Sequence, residues 1–256
     1  MMLEKSSHLS WQRSPKKTRA WQLCFRDPRD QTTHLRAMED QQIAQRLFPY
    51  SLQALDEGVV EVLGSRGISF QELLFENPAV LEEIRLFENL GAWLRSVHEL
   101  DGPTGFGAYL QPDEYLTINA LMSSLFSTLG AAMHRLDEEE ELQGRTLESL
   151  AELRNELASF HPHGRSTWVL GRFSPQFLIL NPLSLEVEGY LDLSQIRKSP
   201  PEWDLGALYS LDLFANNPAF ERGFWKGYRA VLTRDLERRI DYFRRFHQLC
   251  SLLEGE

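Results

Sequence analysis

Apolar and polar residues alternate in the first part of the chain in a way that indicates a small α/β region. Residues 21–26 alternate apolar with other side chains, as a half-buried strand does, and residues 59–63 form a second strand candidate. Between them, residues 33–47 place apolar side chains at near-helical spacing. Residues 1–18 are polar and irregular, so we expect a flexible N-terminus there. The sequence therefore predicts a reduced N-terminal α/β lobe over residues 19–76.

The second part of the chain reads mainly as helix, interrupted once by strands. Apolar residues at helical spacing predict helices at about 80–100, 113–136 and 147–160. The period changes to two in a short β insertion at 168–192, where the segment Asn181-Pro182-Leu183-Ser184 predicts a turn. We therefore predict a large helical C-terminal lobe over residues 77–256, and an α+β fold overall.

Composition and charge exclude several classes of function. The chain has 256 residues, of which 42% are hydrophobic and 25% charged, which is ordinary usage for a globular protein. Its formal net charge of −10 disfavours binding to nucleic acids and to anionic membranes. The arginine-rich run 234–245 is interpreted as the solvated face of a helix. We expect no nucleic-acid partner and no membrane partner.

The cysteines and the first residues indicate a reducing compartment. Cys24 and Cys250 are far apart in the sequence and form neither a metal-binding pattern nor a disulfide framework. The first residues lack the apolar stretch of a secretion signal. We therefore expect a cytoplasmic protein with two reduced thiols.

Four segments, in order along the chain, resemble motifs of the aminoglycoside phosphotransferase family. The resemblance implies a protein-kinase-like fold, with a reduced N-terminal lobe and a large helical C-terminal lobe. Its most specific part is the stretch 168–208. The segments and the motifs they resemble are Leu90–Leu100 (L-G-x-x-L-x-x-L-H-x-L), Leu170–Ile179 (H-G-D-x-x-x-x-N), Gly189–Leu193 (G-x-[IL]-D-[FW]) and Pro201–Leu208 (D-P-x-x-D-L-A).

The same resemblance implies that the catalytic loop is degenerate. In this family a loop aspartate accepts the substrate proton, and an asparagine and a second aspartate hold magnesium. Arg172 occupies the position of the first aspartate, Phe177 that of the asparagine, and Leu170 that of the loop histidine. An arginine stays protonated and cannot act as a base, and a phenylalanine offers magnesium no oxygen. Only Asp192, at the second aspartate position, clearly remains.

The nucleotide-binding residues are also degenerate or uncertain in register. Cys24 stands where the family has its strand lysine if residues 21–25 are that strand, although the nearby Arg26 leaves the register open. Glu39 is the candidate for the helix glutamate that orients this lysine. Residues 1–20 contain no glycine, so no glycine-rich turn precedes the strand.

The remaining motif residues have structural interpretations. For Asp192 two roles stay open, a vestigial metal ligand and an anchor for the loop, and we hypothesise that it pairs with Arg172 across the former site. Asp204 and Trp203 are interpreted as structural, with Asp204 anchoring the backbone of the loop. We assign no catalytic residue and no metal ligand.

These residues favour a pseudokinase that acts as a protein-binding adaptor, a chaperone-like factor or a regulator. We expect a protein partner, with a small-molecule ligand in the former cleft as the second candidate, and no cofactor. One alternative is an atypical ATP-dependent phosphotransferase or nucleotidyl transferase in which Asp192 holds magnesium. The other is a non-catalytic sensor of a nucleotide or metabolite.

Overall fold

Contacts between residues divide the chain of this computed structural model into two compact units, each built from three stretches of the sequence. The first unit consists of Met1–Leu100, Arg172–Ile196 and Phe214–Val231, and the second of Asp101–Gly171, Arg197–Leu213 and Leu232–Glu256. The linear boundary predicted after residue 76 stays a prediction. The structure describes residues 9–13, 20–25, 28–39, 43, 47, 51–56, 59–63, 67–70, 72–73, 79, 83–100, 104–109, 115–133, 140–157, 166–214 and 217–254.

The regular elements of this described part are short strands and mostly longer helices. The strands are β1 Leu9–Arg13, β2 Ala20–Phe25, β3 Ser51–Asp56, β4 Val59–Leu63, β5 Ile68–Ser69, β6 Gly107–Ala108, β7 Thr167–Val169, β8 Leu178–Leu180, β9 Val187–Tyr190 and β10 Arg197–Ser199. The helices are α1 Pro28–Glu39, α2 Ile84–His98, α3 Ile118–Met133, α4 Glu140–Leu157, α5 Glu202–Ser210, α6 Pro218–Tyr228 and α7 Arg234–Glu254.

In the first unit, an antiparallel sheet has the strand order β1-β2-β4-β3. Side-chain burial alternates along β2 as the sequence pattern predicted: Leu23 and Phe25 are buried, and Cys24 between them is only half-buried. The predictions of β2 and β4 are confirmed. The structure differs from the flexible N-terminus predicted over 1–18 at Leu9–Arg13, which pairs along its whole length with β2. Its alternation is too short to distinguish from a polar tail.

A second antiparallel sheet of the first unit, in the order β5-β8-β9, contains the predicted turn. Between β8 and β9, the Asn181 Oδ1 accepts hydrogen bonds from the backbone N–H groups of Leu183 (3.0 Å) and Ser184 (3.1 Å). An asparagine side chain that bonds its own following backbone is a standard turn-forming device. The turn prediction is confirmed, and it places β9 so that the chain continues into Asp192.

Helices α2 and α6 of the first unit pack with their backbones in close approach. A Cβ atom built on Gly227 would lie 1.8 Å from the carbonyl oxygen of Glu88, and one on Gly91 would lie 2.1 Å from that of Phe224. Only glycine fits at such a distance. The predicted helix near 80–100 is confirmed as α2, and this crossing fixes its position.

In the second unit, the order β6-β10-β7 forms a small antiparallel sheet beside four helices. Side chains of α3, α4, α5 and α7 share one apolar core, in which Trp203, Tyr242 and Phe243 are almost fully buried. The predicted helices 113–136 and 147–160 are confirmed as α3 and α4, but α4 begins earlier, at Glu140. Acidic residues in a first helical turn are favoured by the helix dipole, which accounts for the earlier start.

The arginine-rich run lies on α7 and is paired with carboxylates. Arg239 bonds Glu202 at 2.8 Å, and Arg245 bonds Asp241 at 3.0 Å and also Glu156. Arg244 bonds Asp241 at 2.5 Å. The charge of this run is thus largely balanced within the second unit.

Candidate functional site

In the second unit, the start of the resembling loop is fixed by the first turn of α5. Asp204 is fully buried, and its carboxylate accepts hydrogen bonds from the backbone N–H groups of Leu170 (2.8 Å) and Gly171 (3.3 Å). The indole Nε1–H of Trp203 donates to the carbonyl oxygen of Gly171 at 2.6 Å. Gly171 has a φ of 80°, a conformation that favours glycine. Consecutive residues of one helix therefore hold both backbone polar groups of Gly171.

Packing and charge keep this clamp of Asp204 and Trp203 in place. The Trp203 ring lies among the rings of Phe243 and Phe246, with centroids 5.6 Å and 5.3 Å away. The Arg197 guanidinium lies 4.3 Å from the centre of the Trp203 ring. Burial lowers the pKa of Arg197 to about 10, while the nearby Cys250 and Asp204 act in the opposite direction, so Arg197 remains a cation at neutral pH. The charge of the half-buried Arg197 therefore interacts favourably with the buried carboxylate of Asp204.

In the first unit, the rest of the loop is closed over an aromatic cluster. Phe177 ends a single 3₁₀ turn and is only 1% exposed. The fully buried Tyr190 lies under the loop, where its hydroxyl donates to the carbonyl oxygen of Arg172 and accepts from the N–H of Ser174, each at 2.9 Å. Its ring lies about edge-on to Phe177 and stacked with Phe173, at centroid distances of 6.0 Å and 6.2 Å. The loop is thus held by one buried hydroxyl and by apolar contacts.

Asp192 follows this cluster in the sequence, and its carboxylate accepts hydrogen bonds from the nearby Ser194. It is 1% exposed, and its Oδ1 accepts hydrogen bonds from the backbone N–H of Ser194 (2.9 Å) and from the Ser194 hydroxyl (2.6 Å). The N–H of Leu191 donates to the carbonyl oxygen of Phe177 at 2.8 Å. These bonds connect the segment Asp192–Ser194 to the same loop that Tyr190 closes.

His34 on α1 contacts the same segment. It is fully buried, and its Nδ1 accepts a hydrogen bond from the backbone N–H of Leu193 at 3.2 Å. Burial lowers the pKa of His34 to about 4, although the nearby Asp192 carboxylate raises it. The imidazole is therefore neutral at pH 7, with its proton on Nε2.

The other residues singled out from the sequence lie elsewhere or are only partly described. Cys24 is a half-buried thiol in β2, and Leu170 is fully buried directly after β7. Glu39 is the last residue of α1, and its side chain lies outside the described residues. Arg172 is half-buried, and its pairing with Asp192 stays a prediction.

The described residues contain neither a candidate metal cluster nor a candidate membrane span. Across that part of the chain, His, Cys, Asp and Glu side chains form no group of three or more that could hold a metal ion. No helix there combines the length and the apolar character that crossing a bilayer requires.

Comparison with solved structures settles the fold. The ADP-bound aminoglycoside phosphotransferase APH(2'')-Ib aligns with a TM-score of 0.63 at 12% identity, over 99% of this chain and 84% of that chain. The chain has the fold of the aminoglycoside phosphotransferases. The resemblance and the α+β, protein-kinase-like fold class predicted from the sequence are confirmed at the level of this fold.

Further structures with this fold extend the comparison beyond one subfamily. A choline/ethanolamine kinase family protein from Mesorhizobium loti aligns with a TM-score of 0.61 at 12% identity, over 98% of this chain and 78% of that chain. Aminoglycoside phosphotransferase APH(3'')-Id from Streptomyces rimosus aligns with a TM-score of 0.53 at 19% identity, over 94% of this chain and 90% of that chain. No protein-family model and no curated protein matches the sequence.

Two residues that organise the site were missed by sequence reasoning. Tyr190 lies inside a quoted motif, but nothing in the sequence shows that its hydroxyl reaches the backbone at Arg172 and Ser174. His34 lies within the predicted helical stretch 33–47, in which only Glu39 was predicted to have a role in the site. A histidine in a helix carries no signal that it bonds a residue 159 positions away.

Proposed function

We propose that this chain is a pseudokinase, a protein with the aminoglycoside phosphotransferase fold that does not transfer phosphate and acts by binding a protein partner. The observation that carries this proposal is the burial of Phe177 at the position where the family has a metal-binding asparagine. Its ring is 1% exposed and packs against Tyr190. The site is thus filled by an apolar side chain that contributes to folding.

The position of the catalytic base supports the same conclusion. Arg172 replaces the aspartate, and a guanidinium has only hydrogen-bond donors, so it offers no acceptor for the substrate proton. The loss of a general base typically lowers a rate by about 10²–10⁴. A cation at this position also repels a divalent metal ion.

The residues of the first unit fit bound magnesium poorly. Mg²⁺ takes oxygen ligands in near-octahedral geometry, usually from carboxylates, phosphates and water. Phe177 supplies no oxygen, and the Oδ1 of Asp192 already accepts two hydrogen bonds from Ser194. A metal ion at that oxygen would compete with both bonds, so we derive no catalytic step through a metal or ATP.

The proposed activity is therefore that of an adaptor, a chaperone-like factor or a regulator. The loop keeps a defined backbone, through Asp204 and Trp203 in the second unit and through Tyr190 in the first. A protein whose loop already has a defined backbone loses little conformational entropy on binding, which supports a role in recognising a partner protein.

Nucleotide binding is the first property to test, since a structure with this fold has ADP bound. Purified protein is mixed with ATP and MgCl₂, and both ADP release and the melting temperature are measured. We expect no ADP above the buffer blank and no magnesium-dependent rise in melting temperature. ADP release that Asp192→Asn abolishes would contradict the proposal and support the phosphotransferase alternative. A shift without turnover and without need for magnesium would instead support the sensor alternative.

The protein partner requires a separate experiment. The tagged chain is used as bait in extract of its native cells, and each captured protein is then purified and titrated against the chain by calorimetry. We expect at least one partner with saturable binding. Binding that persists when the bait is thermally unfolded would count as non-specific.

A further inference from the structure

We propose that His34 is a positioning residue through which helix α1 sets the conformation of the segment Asp192–Ser194. This inference rests on the proposed function in one respect, namely that the segment is held in a form suited to structure and not to metal binding. It concerns how the site is regulated, because a change at α1 would then alter the segment that carries Asp192.

The geometry gives α1 a polar contact with the backbone of this segment. The Nδ1 of His34 accepts the N–H of Leu193 at 3.2 Å, and the imidazole is fully buried. The Phe25 ring lies 5.3 Å from the imidazole, so β2 supplies an apolar neighbour to the ring. A buried N–H that loses its acceptor is costly, which makes this bond a strong restraint on the segment.

The bond requires one particular form of the imidazole. Nδ1 can accept the Leu193 N–H only when it carries no proton, so His34 must be the neutral tautomer with its proton on Nε2. A side chain with an acceptor at the same position can replace it, whereas an apolar side chain of similar size cannot. The role is therefore separable from simple filling of space.

The neighbouring bonds explain why the restraint reaches Asp192. Ser194 donates two hydrogen bonds to the Oδ1 of Asp192, at 2.9 Å and 2.6 Å, so the three residues form one closed turn. The hydrogen bond from Leu193, the middle residue, to His34 therefore restrains the orientation of the whole turn. If α1 moves away, the backbone N–H of Leu193 loses its hydrogen bond to His34.

Amide hydrogen exchange of the full chain tests the proposal at the residue concerned. His34→Leu removes the acceptor, while His34→Asn places a carbonyl oxygen where Nδ1 stood and serves as the matched control. We expect exchange of the Leu193 amide to become about tenfold faster in His34→Leu and to stay near the wild-type rate in His34→Asn. The Leu170 amide in the second unit, bonded to Asp204, reports any global loss of stability.

Two results would overturn the proposal. One is an unchanged Leu193 rate in His34→Leu, and the other is equal acceleration in His34→Leu and His34→Asn. If His34→Leu does not fold, His34→Gln replaces it, since its amide oxygen lies one bond further out, where Nε2 stood. The proposal then requires that the Leu193 amide exchanges slowly in His34→Asn and about tenfold faster in His34→Gln. Equal exchange rates of this amide in the two variants contradict it. ADP release plays no part in this experiment, so its outcome is independent of the test of the proposed function.

Discussion

The two units hold neighbouring parts of one loop by different means. In the second unit, Leu170 and Gly171 are held by a buried carboxylate and an indole of α5, and the half-buried Arg197 lies against that indole. In the first unit, Arg172 to Phe177 are held by a tyrosine hydroxyl and aromatic packing. By the resemblance, Asp204 and Gly171 retain residues of the family motif, whereas Leu170, Arg172 and Phe177 are proposed to replace its other residues.

If the proposed function is right, this difference indicates which residues are retained after a catalytic activity is lost. A residue that satisfies buried backbone groups remains necessary whatever the protein does, because an unpaired buried N–H costs stability. A residue needed only for phosphate transfer brings no such benefit, and an apolar side chain in its place improves packing. The comparison therefore predicts large stability effects for the clamp of the second unit and smaller ones for the polar groups of the first.

Removing the Asp204 carboxylate has the largest expected effect. Asp204→Ala leaves the N–H groups of Leu170 and Gly171 without their acceptor in a fully buried place. We expect a loss of about 3–5 kcal/mol in the free energy of unfolding, measured by urea denaturation. Asp204→Asn keeps one oxygen and should lose less, and Glu152→Ala on the exposed face of α4 should change stability by under about 0.5 kcal/mol. Equal stability of Asp204→Ala and wild type would break the comparison.

Protonation of His34 gives the next largest effect, and it belongs to the first unit. The folded-state pKa of His34 is lowered from 6.5 to about 4, so between these values the unfolded chain binds a proton that the folded protein does not. Stability therefore falls as the pH is lowered through this window, by up to roughly 3 kcal/mol from this group. The measurement is the free energy of unfolding from pH 7 to pH 4 for wild type and His34→Asn. Parallel curves for the two proteins would show that His34 does not contribute.

The sequence predicted the parts of this molecule whose causes are local. The strand β2 follows from alternation, and the turn at Asn181 follows from a side chain that bonds the next residues. The motif carrying Asp204 could be placed because the segment Pro201–Leu208 resembles a family motif and follows the other three in order. These features depend on neighbours within a few residues, or on one motif, and a single sequence contains that information.

What the sequence could not predict depends on distant contacts. The spacing of residues in α2 does not show that Gly91 lets the backbone of α6 approach. The three residues of β10, Arg197–Ser199, are charged and polar, and nothing but pairing with β6 and β7 makes them a strand. The bonds of His34 and Tyr190 to loop backbone depend on tertiary geometry that no spacing rule expresses.

The Tyr190 hydroxyl separates hydrogen bonding from packing in the first unit. Tyr190→Phe keeps the ring beside Phe173 and Phe177 but removes the bonds to Arg172 and Ser174. We expect a loss of about 1–2 kcal/mol by urea denaturation. Tyr115→Phe in the second unit is the matched control, since that hydroxyl donates one bond, to Ser124 at 2.7 Å. A larger loss for Tyr115→Phe would mean that the Tyr190 hydroxyl does not close the loop.

Pairing between Arg172 and Asp192 gives the smallest effect and decides how the first unit balances its buried charge. Asp192 is 1% exposed, and its Oδ1 accepts a hydrogen bond from the Ser194 hydroxyl, so its carboxylate is shielded from water. A nearby cation lowers the cost of burying a carboxylate, and the resemblance places Arg172 across the site from Asp192.

A double-mutant cycle with Arg172→Ala and Asp192→Asn measures this pairing directly, because the asparagine keeps an oxygen for Ser194. We expect a coupling energy of about 1 kcal/mol, limited by the partial exposure of Arg172. A parallel cycle with Arg95→Ala, whose guanidinium bonds Glu99 and the backbone of α6, should give none. Coupling near zero for Arg172 would mean that another cation balances Asp192, and the loop would then owe its closure to Tyr190 and Phe177 alone.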